Sequence, residues 1–296
     1  MREIFSGVGV ALATPFRNGK IDFNSMEKLI NKSIKEGASA IVILATTGEA
    51  STITEKERTK VIRFCRGIVG TGTKLIVGTG CNDFSRCKKQ TTEAKSLGAD
   101  ACLVVTPYYN KTTQTGIIKY YEQLSHCEIP LIMYNVPART GLSIEVETVE
   151  KIIQTNPFVF GLKESTCDIN RIIKLHKICK NKVAIYSGED ELNFLFYCLG
   201  ANGSISVTAN ALCKKTVSLF ESVKKENLRA ALSLQEELSP INNALFCETN
   251  PVPIKHMLKE MDLIESDEVR LPLVELSDEN KKKIKSIVDS LSSFNS

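Results

Sequence analysis

The chain has 296 residues, of which 43% are hydrophobic and 24% charged, and its formal net charge is +4. This length suits one large domain or two modest ones. The composition is that of an ordinary globular protein, which argues against a disordered or a membrane protein, and the charge is too small to predict nucleic-acid binding.

Short runs rich in β-branched residues recur along the chain, and each is followed by a helical pattern. The predicted strands are Val8–Thr14, Ala40–Thr46, Leu75–Gly80, Ala101–Thr106, Leu131–Val136, Val159–Lys163, Val183–Ser187 and Gly203–Val207. Their spacing of roughly 20 to 35 residues is the length of a βα unit. Several are apolar throughout, as expected for parallel strands buried on both faces.

Helix signals separate these strands. Apolar residues repeat at helical spacing over residues 26–34, and Thr54-Glu-Lys-Glu57 is typical of a capping box. Gly37 and Gly98 each stand where a helix should end before the next strand.

Eight βα units in this length predict an α/β fold, a closed (β/α)8 TIM barrel. No GxGxxG follows the first strand, which argues against an open nucleotide-binding sheet. We expect the barrel to occupy residues 1–225. Residues 226–296 are predicted as a C-terminal helical region, whose last helix opens at Ser277.

Cysteine usage indicates the cellular compartment. Ten cysteines are scattered mostly through apolar segments, without a CxxC pair. This predicts buried free thiols in a reducing cytoplasm rather than disulfides or a zinc site. The amino terminus lacks the apolar stretch of a signal peptide, and no run approaches a membrane span. The three histidines are far apart in sequence, so no metal site is predicted.

Polar residues gather where the predicted strands end, which is where barrels of this kind hold their active sites. The segments are Thr46-Thr47-Gly48-Glu49, Thr106-Pro-Tyr108-Tyr109-Asn110, Tyr134-Asn-Val-Pro-Ala-Arg139-Thr-Gly141, Lys163-Glu164-Ser165 and Ser187-Gly188-Glu189-Asp190. Each residue alone has a structural explanation, such as capping a helix or packing at a rim. Their convergence favours an active site.

Lys163 ends the apolar run Phe158-Val-Phe-Gly-Leu, which is typical of a buried strand. Lysine is seldom buried, because desolvating its charge is costly. A buried lysine that becomes neutral can attack a carbonyl group, whereas one at the wet end of a strand merely reaches solvent. Glu164 follows it in the strand and should therefore point to the opposite face, away from the amine.

The neighbouring residue types fit imine formation with a compact keto acid. Tyr134 and Thr46 have hydroxyls that both donate and accept protons, as a carbinolamine requires. Gly188 leaves room for a small substrate. The backbone and hydroxyl of Thr47 suit its carboxylate, and Arg139 offers a bidentate fork for a second carboxylate.

Five motifs carry a family resemblance. They are Thr46-Thr-Gly-Glu49, Thr106-Pro-Tyr-Tyr-Asn110, Tyr134-Asn-Val-Pro-x-Arg139-Thr-Gly141, the strand-six Lys163 and Glu248-Thr-Asn-Pro-Val-Pro-Ile-Lys255. In order and spacing, from the first strand to the final helices, the sequence resembles the 4-hydroxy-tetrahydrodipicolinate synthase (dihydrodipicolinate synthase) family.

The resemblance implies a Schiff base between Lys163 and pyruvate, whose enamine attacks L-aspartate 4-semialdehyde in lysine and diaminopimelate biosynthesis. It also implies a proton relay of Tyr134, Thr46 and Tyr109. Tyr109 would be lent across a dimer interface into the neighbour's site, and Tyr108 would pack at that interface.

The resemblance further implies how the substrates are held. Thr47 would bind the pyruvate carboxylate and Arg139 that of the semialdehyde, while the backbones of Gly188 and Ile205 would line the pyruvate pocket. It implies no organic cofactor and no catalytic metal. It implies a homo-oligomer, usually a tetramer built as a dimer of dimers.

Two departures from the family pattern matter. Ala45 stands where the family usually has glycine, and we expect only a slight backbone adjustment. In lysine-sensitive members, histidine and glutamate side chains bind the feedback inhibitor. Glu55, Arg58 and Arg86 occupy those places here, although Asn82 is retained. Reversing the charge beside the lysine ammonium should cost binding, so we expect weak or absent feedback inhibition.

Two alternatives are open from the sequence. Another pyruvate-dependent lyase, such as N-acetylneuraminate lyase, would keep the lysine and the strand-five tyrosine but would not need Arg139. A catalytically silent barrel that only binds a small acid would have no need of a buried lysine. A borohydride-trapped pyruvate adduct on Lys163 would distinguish an enzyme from a silent barrel.

Overall fold

Eight parallel strands close into a barrel in this computed structural model, which describes residues 1–293. The strands in chain order are β1 Gly7–Ala11, β2 Phe16–Arg17, β3 Lys20–Ile21, β4 Ala40–Ile43, β5 Lys74–Gly78, β6 Ala101–Val105, β7 Leu131–Asn135, β8 Val159–Glu164, β9 Ala184–Ser187 and β10 Gly203–Ser206. Around the barrel, β1 is followed by β4 to β10 in sequence, and β10 pairs again with β1. The predicted eight-stranded α/β barrel is confirmed.

Helices surround the barrel and continue beyond it. They are α1 Phe23–Lys35, α2 Glu55–Ile68, α3 Phe84–Ser96, α4 Gln114–Leu124, α5 Pro137–Thr140, α6 Val146–Thr155, α7 Ile169–Cys179, α8 Asn193–Cys198, α9 Ala209–Lys224, α10 Leu228–Ala244, α11 Val252–Glu260 and α12 Asp278–Ser293. The predicted capping box opens α2, where the Thr54 hydroxyl accepts from Glu57 N at 3.3 Å and Glu57 Oε2 accepts from Thr54 N at 3.0 Å.

Alternation along the strands creates two apolar layers. Val42, Ile132 and Ile205 belong to a cluster inside the barrel. Ile41 and Ile43, on the other face of β4, join the larger core between the sheet and the helices. The eight barrel strands are therefore buried on both faces, which explains why the sequence runs are apolar throughout. The same alternation decides which polar residues at the strand ends face the barrel axis.

The predicted strand Ala40–Thr46 is too long, because the strand ends at Ile43. Leu44 has a φ of +55°, in the left-handed region that residues with a β-carbon rarely adopt, and this turns the chain out of the sheet. The turn fits against Gly78, where an added β-carbon would stand 2.2 Å from the Leu44 carbonyl oxygen. Thr46 and Thr47 consequently lie in the loop at the carboxyl end of the barrel. The short hairpin of β2 and β3 has no counterpart in the predicted elements.

The helices that follow α9 lie directly against the barrel. Gln235 Nε2 and Asn242 Nδ2, both on α10, each donate to the Asp190 carbonyl oxygen at 3.2 Å. Lys255 Nζ on α11 donates to Glu49 Oε1 at 2.5 Å. These buried polar contacts join the C-terminal helices to the loops at the mouth of the barrel.

Candidate active site

Lys163 lies at the carboxyl end of β8 and points into the barrel. It is only 5% exposed, and its Nζ stands 4.3 Å from the centroid of the Tyr134 ring on the neighbouring β7. Tyr134 and Lys163 face each other directly in the parallel register. Lys163 makes no ion pair with any carboxylate of residues 1–293. The structure thus presents a buried amine against the Tyr134 ring, with Glu189 the nearby carboxylate that it influences without forming an ion pair.

Glu164 points to the outer face of β8, as the alternation of the strand predicts. It is fully buried between the sheet and the helices. Its carboxylate accepts hydrogen bonds from Asn135 Nδ2 at 2.9 Å and from Arg171 Nη2 at 3.0 Å. The carboxylate next to Lys163 in sequence is therefore neutralised on the other side of the sheet.

Thr46, Tyr134 and Arg139 line one cavity of about 310 Å³ at the mouth of the barrel, and Tyr108 also lines it. Its volume is at the small end of the range for ligand pockets, which suits compact substrates. Within residues 1–293 no hydrogen bond joins the hydroxyls of Thr46 and Tyr134 directly. Their cooperation as a proton relay stays a prediction.

Gly188 packs against the side chain of Lys163. A β-carbon at Gly188 would stand 2.7 Å from Lys163 Cε and 2.0 Å from Ser165 Oγ, so only glycine fits without moving the lysine. Ile205 lies on β10, is 1% exposed and belongs to the cluster inside the barrel. Both residues thus lie on the inward-facing side, where the sequence predicts a pyruvate pocket, although neither lines the 310 Å³ cavity.

Asn250 connects the two residues predicted to bind carboxylates. Its Nδ2 donates to Thr47 Oγ1 at 3.0 Å, and its carbonyl oxygen accepts from Arg139 Nη2 at 3.1 Å. Thr47 is 3% exposed and does not line the cavity, whereas Asn250 and Arg139 do. The sequence singled out the segment that contains Asn250 but gave this residue no role. Its contacts with Thr47 and Arg139 span 203 and 111 positions, which no local pattern encodes.

Tyr109 stands apart from the other predicted site residues. It is 92% exposed, has a φ of +70° and does not line the cavity of its own chain. Tyr108, next to it, is 36% exposed. One chain therefore brings a threonine, two tyrosines and the arginine to one cavity, with the lysine against one of these tyrosines, and it projects Tyr109 outward.

Two carboxylates near the mouth are held in different ways. Glu49 lines the cavity and accepts from Lys255 Nζ at 2.5 Å and from Arg270 N at 3.1 Å. Burial raises the pKa of Glu189, the neighbouring Asp190 carboxylate adds to this effect, and Lys163 opposes it. The negative charges near the site are thus either paired or disfavoured by burial.

A model of the dihydrodipicolinate synthetase family matches residues 4–291. The chain belongs to this family. A relative from Thermodesulfovibrio yellowstonii, named 4-hydroxy-tetrahydrodipicolinate synthase, is 43% identical over 97% of this chain and 98% of its own length. The family resemblance predicted from the strand-end motifs is confirmed.

Solved structures of family members superpose closely on this fold. The crystal structure of dihydrodipicolinate synthase from Thermotoga maritima has a TM-score of 0.95 at 36% identity, covering 97% of this chain and 99% of that one. A structure described as the first monomeric dihydrodipicolinate synthase variant has a TM-score of 0.95 at 36% identity and covers 97% of this chain and 96% of its own.

The remaining sequence expectations concern thiols, metals and membranes. All ten cysteines are free, but Cys167 and Cys198 are exposed, so the expectation of buried thiols is wrong for these two. Cys167 lies in the loop between β8 and α7, and Cys198 is the last residue of α8. In the described part of the chain, no three His, Cys, Asp or Glu side chains group as metal ligands, and no helix is long and apolar enough to span a bilayer.

Proposed function

We propose that this chain is a 4-hydroxy-tetrahydrodipicolinate synthase, which condenses pyruvate with L-aspartate 4-semialdehyde in lysine and diaminopimelate biosynthesis. The observation that carries the proposal is the Lys163 amine, 5% exposed, inside the mouth of the barrel and without a carboxylate partner among residues 1–293. A lysine amine in such a position can attack a carbonyl group and form an imine. Family membership supports the choice of substrates.

The first half of the reaction builds an imine. Lys163 Nζ attacks C2 of pyruvate, and the resulting carbinolamine loses water to give the Schiff base. Tyr134, 4.3 Å from the amine at its ring centroid, and Thr46 on the same cavity would move the protons that this step transfers. Gly188 leaves the space beside the Lys163 stem open, and the buried Thr47 and Ile205 would complete the pyruvate pocket.

The second half forms the ring. Loss of a proton from C3 converts the imine to an enamine, whose C3 attacks the aldehyde carbon of the semialdehyde. The amino group of the semialdehyde then attacks the imine carbon, which closes a six-membered ring and releases the Lys163 amine. Arg139 would hold the semialdehyde carboxylate through its bidentate guanidinium. One water leaves per turnover, at imine formation.

The proposal requires no organic cofactor and no catalytic metal. The protonated imine on Lys163 is itself the electron sink that makes C3 of pyruvate acidic, so covalent catalysis by the lysine supplies the chemistry. The expected bound species is therefore the pyruvate adduct alone.

We propose that the enzyme works as a homo-oligomer, a tetramer formed as a dimer of dimers, in the cytoplasm. Tyr109 is 92% exposed beside a cavity that it does not line, which suits its predicted place in a neighbour's site. Ile169 and Ile173, one turn apart on α7, are 47% and 48% exposed and offer an apolar strip for a second contact. Ten free thiols fit a reducing compartment.

Borohydride reduction in the presence of pyruvate tests the proposal. We expect a covalent adduct located by peptide mass measurement on Lys163, and none on the other buried lysine, Lys255. Turnover is then measured with L-aspartate 4-semialdehyde and, separately, with N-acetylneuraminate. Failure to trap an adduct would remove any Schiff-base lyase, and cleavage of N-acetylneuraminate in preference to condensation would favour the rival lyase.

A further inference from the structure

A buried hydrogen-bond network lies on the outer face of the barrel, directly behind the site. Glu164 is its centre and is fully buried. Its two oxygens accept from Asn135 Nδ2 at 2.9 and 3.1 Å, and Oε2 accepts from Arg171 Nη2 at 3.0 Å and Nε at 3.2 Å. Asn135 is also fully buried, and the Arg171 side chain is 13% exposed. Such a charge must stay paired, because a buried unpaired carboxylate is costly.

The same two donors hold one residue of the loop after β7. Asn135 Oδ1 accepts from Ile144 N at 2.9 Å, and Arg171 Nη2 donates to the Ile144 carbonyl oxygen at 2.6 Å. Both backbone polar groups of Ile144 are therefore bound to partners of Glu164. Residues 136–143, between Asn135 and Ile144, form the loop that joins β7 to α6. This loop includes the short helix α5 with Arg139, and its two ends meet at the network.

The positions of β7 and β8 depend less on this network than the position of the loop does, because backbone pairing joins the two strands. Tyr134 and Lys163 are held in register by the parallel pairing of β7 with β8. The loop has no sheet partner. It is held by the backbone hydrogen bonds of α5, by Gln114 and by the bond from Arg139 to Asn250, and at its base by the network. Loss of the Glu164 carboxylate would leave Asn135 and Arg171 without their shared acceptor and free Ile144, moving Arg139 before it moves Lys163.

We propose that Glu164 is a positioning residue for the second substrate: through Asn135, Arg171 and Ile144 it fixes the loop that presents Arg139 to the semialdehyde carboxylate. This inference rests on the proposed function, since it deepens the role of Arg139 in that site. Glu164 touches neither substrate. Its effect is on where the guanidinium stands relative to the imine.

The test is the variant Glu164→Gln, which keeps the shape of the side chain and removes its charge. We expect the KM for L-aspartate 4-semialdehyde to rise by about tenfold, because a misplaced binding group loses much of its interaction energy. The KM for pyruvate and the rate of borohydride trapping on Lys163 should stay within about twofold. Arg171→Lys, which keeps the charge but not the fork, should show a smaller shift in the same direction.

The matched control is Arg66→Gln. Arg66 Nη1 pairs with Asp100 Oδ2 at 3.0 Å, and this pair likewise joins two elements of the barrel, away from the loop that carries Arg139. The control should lower the thermal midpoint without changing either KM. A merely structural role for Glu164 would make its variant behave like this control.

The outcomes separate this inference from the proposed function. If the unaltered protein gives no adduct and no condensation, the proposed function fails. If it is active and Glu164→Gln leaves both KM values unchanged, or raises both equally while trapping slows, the positioning role alone is overturned. Should Glu164→Gln be insoluble, Arg171→Lys carries the same comparison, and unchanged semialdehyde KM in that variant overturns the role.

Discussion

Two lysines lie buried in different regions, Lys163 at the barrel mouth and Lys255 where the C-terminal helices meet the barrel, 5% and 0% exposed. Each places its Nζ over an aromatic ring, 4.3 Å from the Tyr134 centroid and 4.1 Å from that of Phe16. Lys255 is 2.5 Å from Glu49 Oε1 and donates to the Glu268 carbonyl oxygen at 2.6 Å. Lys163 makes no ion pair within residues 1–293.

Both lysines are buried, but only Lys163 is proposed to react, so burial by itself does not predict the role. Burial lowers the pKa of Lys255, but the Glu49 carboxylate opposes this effect and holds the ammonium in an ion pair. The Lys255 ammonium donates to Glu49 and to the Glu268 carbonyl oxygen and lies over the Phe16 ring, so its role is structural. For Lys163 the sheet places the adjacent carboxylate of Glu164 on its other face, and the amine lies against Tyr134, which lines the cavity. Lys255 is thus held in an ion pair with Glu49, whereas Lys163 forms no ion pair with another of the described residues.

The sharpest test of the contrast is Lys163→Met, which keeps the length of the side chain and removes the amine. We expect turnover to fall by about 10³-fold or more, because no other group can form the imine. The pyruvate adduct should vanish from mass spectra, while the thermal midpoint changes little. A variant that retained a tenth of the activity would show that Lys163 is not the nucleophile.

Lys255→Met should affect stability instead. It leaves the Glu49 carboxylate buried and unpaired, so the free energy of unfolding should fall by about 3–5 kcal/mol in urea titrations. Protein that stays folded should still form the adduct on Lys163. Adding Glu49→Gln to this variant should restore part of the lost stability, and no recovery in the double variant would contradict a simple charge-pair account.

Gly188→Ala should displace the Lys163 side chain through a steric clash. Its β-carbon would stand 2.7 Å from Lys163 Cε, so the side chain must shift. We expect the rate of borohydride trapping with pyruvate to fall by about 10²-fold. Gly72→Ala is the matched control, because a β-carbon there meets nothing within 4 Å. Equal trapping rates in the two variants would refute the packing argument.

Acid should weaken the ion pair of Glu57 with Arg270, which lies next to the Lys255–Glu49 pair, and so lower the free energy of unfolding. Hydrogen bonds from Arg270 lower the pKa of Glu57 to about 2. A carboxylate with a lowered folded pKa stabilises the fold above its unfolded value and loses that contribution as pH falls toward 2. We expect a loss of about 1 kcal/mol between about pH 5 and pH 2 that Glu57→Gln removes. Parallel pH profiles for both proteins would contradict it.

Of the changes considered, free lysine added as an inhibitor should have the smallest effect on turnover. Arg58 is 3% exposed, donates from Nη2 to the Gly78 carbonyl oxygen at 2.6 Å, and burial lowers its pKa to about 10. Glu55 is paired with Lys89 at 2.8 Å. A cationic side chain beside a ligand ammonium disfavours its binding. We expect turnover to change little in millimolar lysine, and strong inhibition would show that a site exists despite these residues.

Local patterns predicted much of the molecule. Continuous apolar runs predicted strands buried on both faces, and the period of two placed Lys163 inward and Glu164 outward. The strand-end residues Tyr134 and Arg139 could be grouped because parallel strands end at one edge of a barrel. In these cases the regular geometry of parallel strands determines which residues are neighbours in space, so their spacing in the sequence is enough to predict them.

The rest depends on contacts between distant positions. The pair of Lys255 with Glu49 and the link of Asn250 to Thr47 each join residues more than 200 positions apart. The left-handed Leu44, which ended a strand earlier than predicted, is possible because Gly78 on the next strand has no side chain. No periodicity or local propensity reports such partners.

The position of Asn250 has a consequence for the order of synthesis. All eight strands precede residue 207, whereas Asn250, which bridges Thr47 and Arg139, is translated later. A nascent chain that has just completed its sheet lacks the part of the cavity lining that Asn250 supplies. It also lacks the hydrogen bond from Arg139 to the Asn250 carbonyl oxygen. Lys163 is then present, but its second substrate has no finished binding surface. Catalytic competence should therefore arise only when the ribosome has delivered the segment around Asn250.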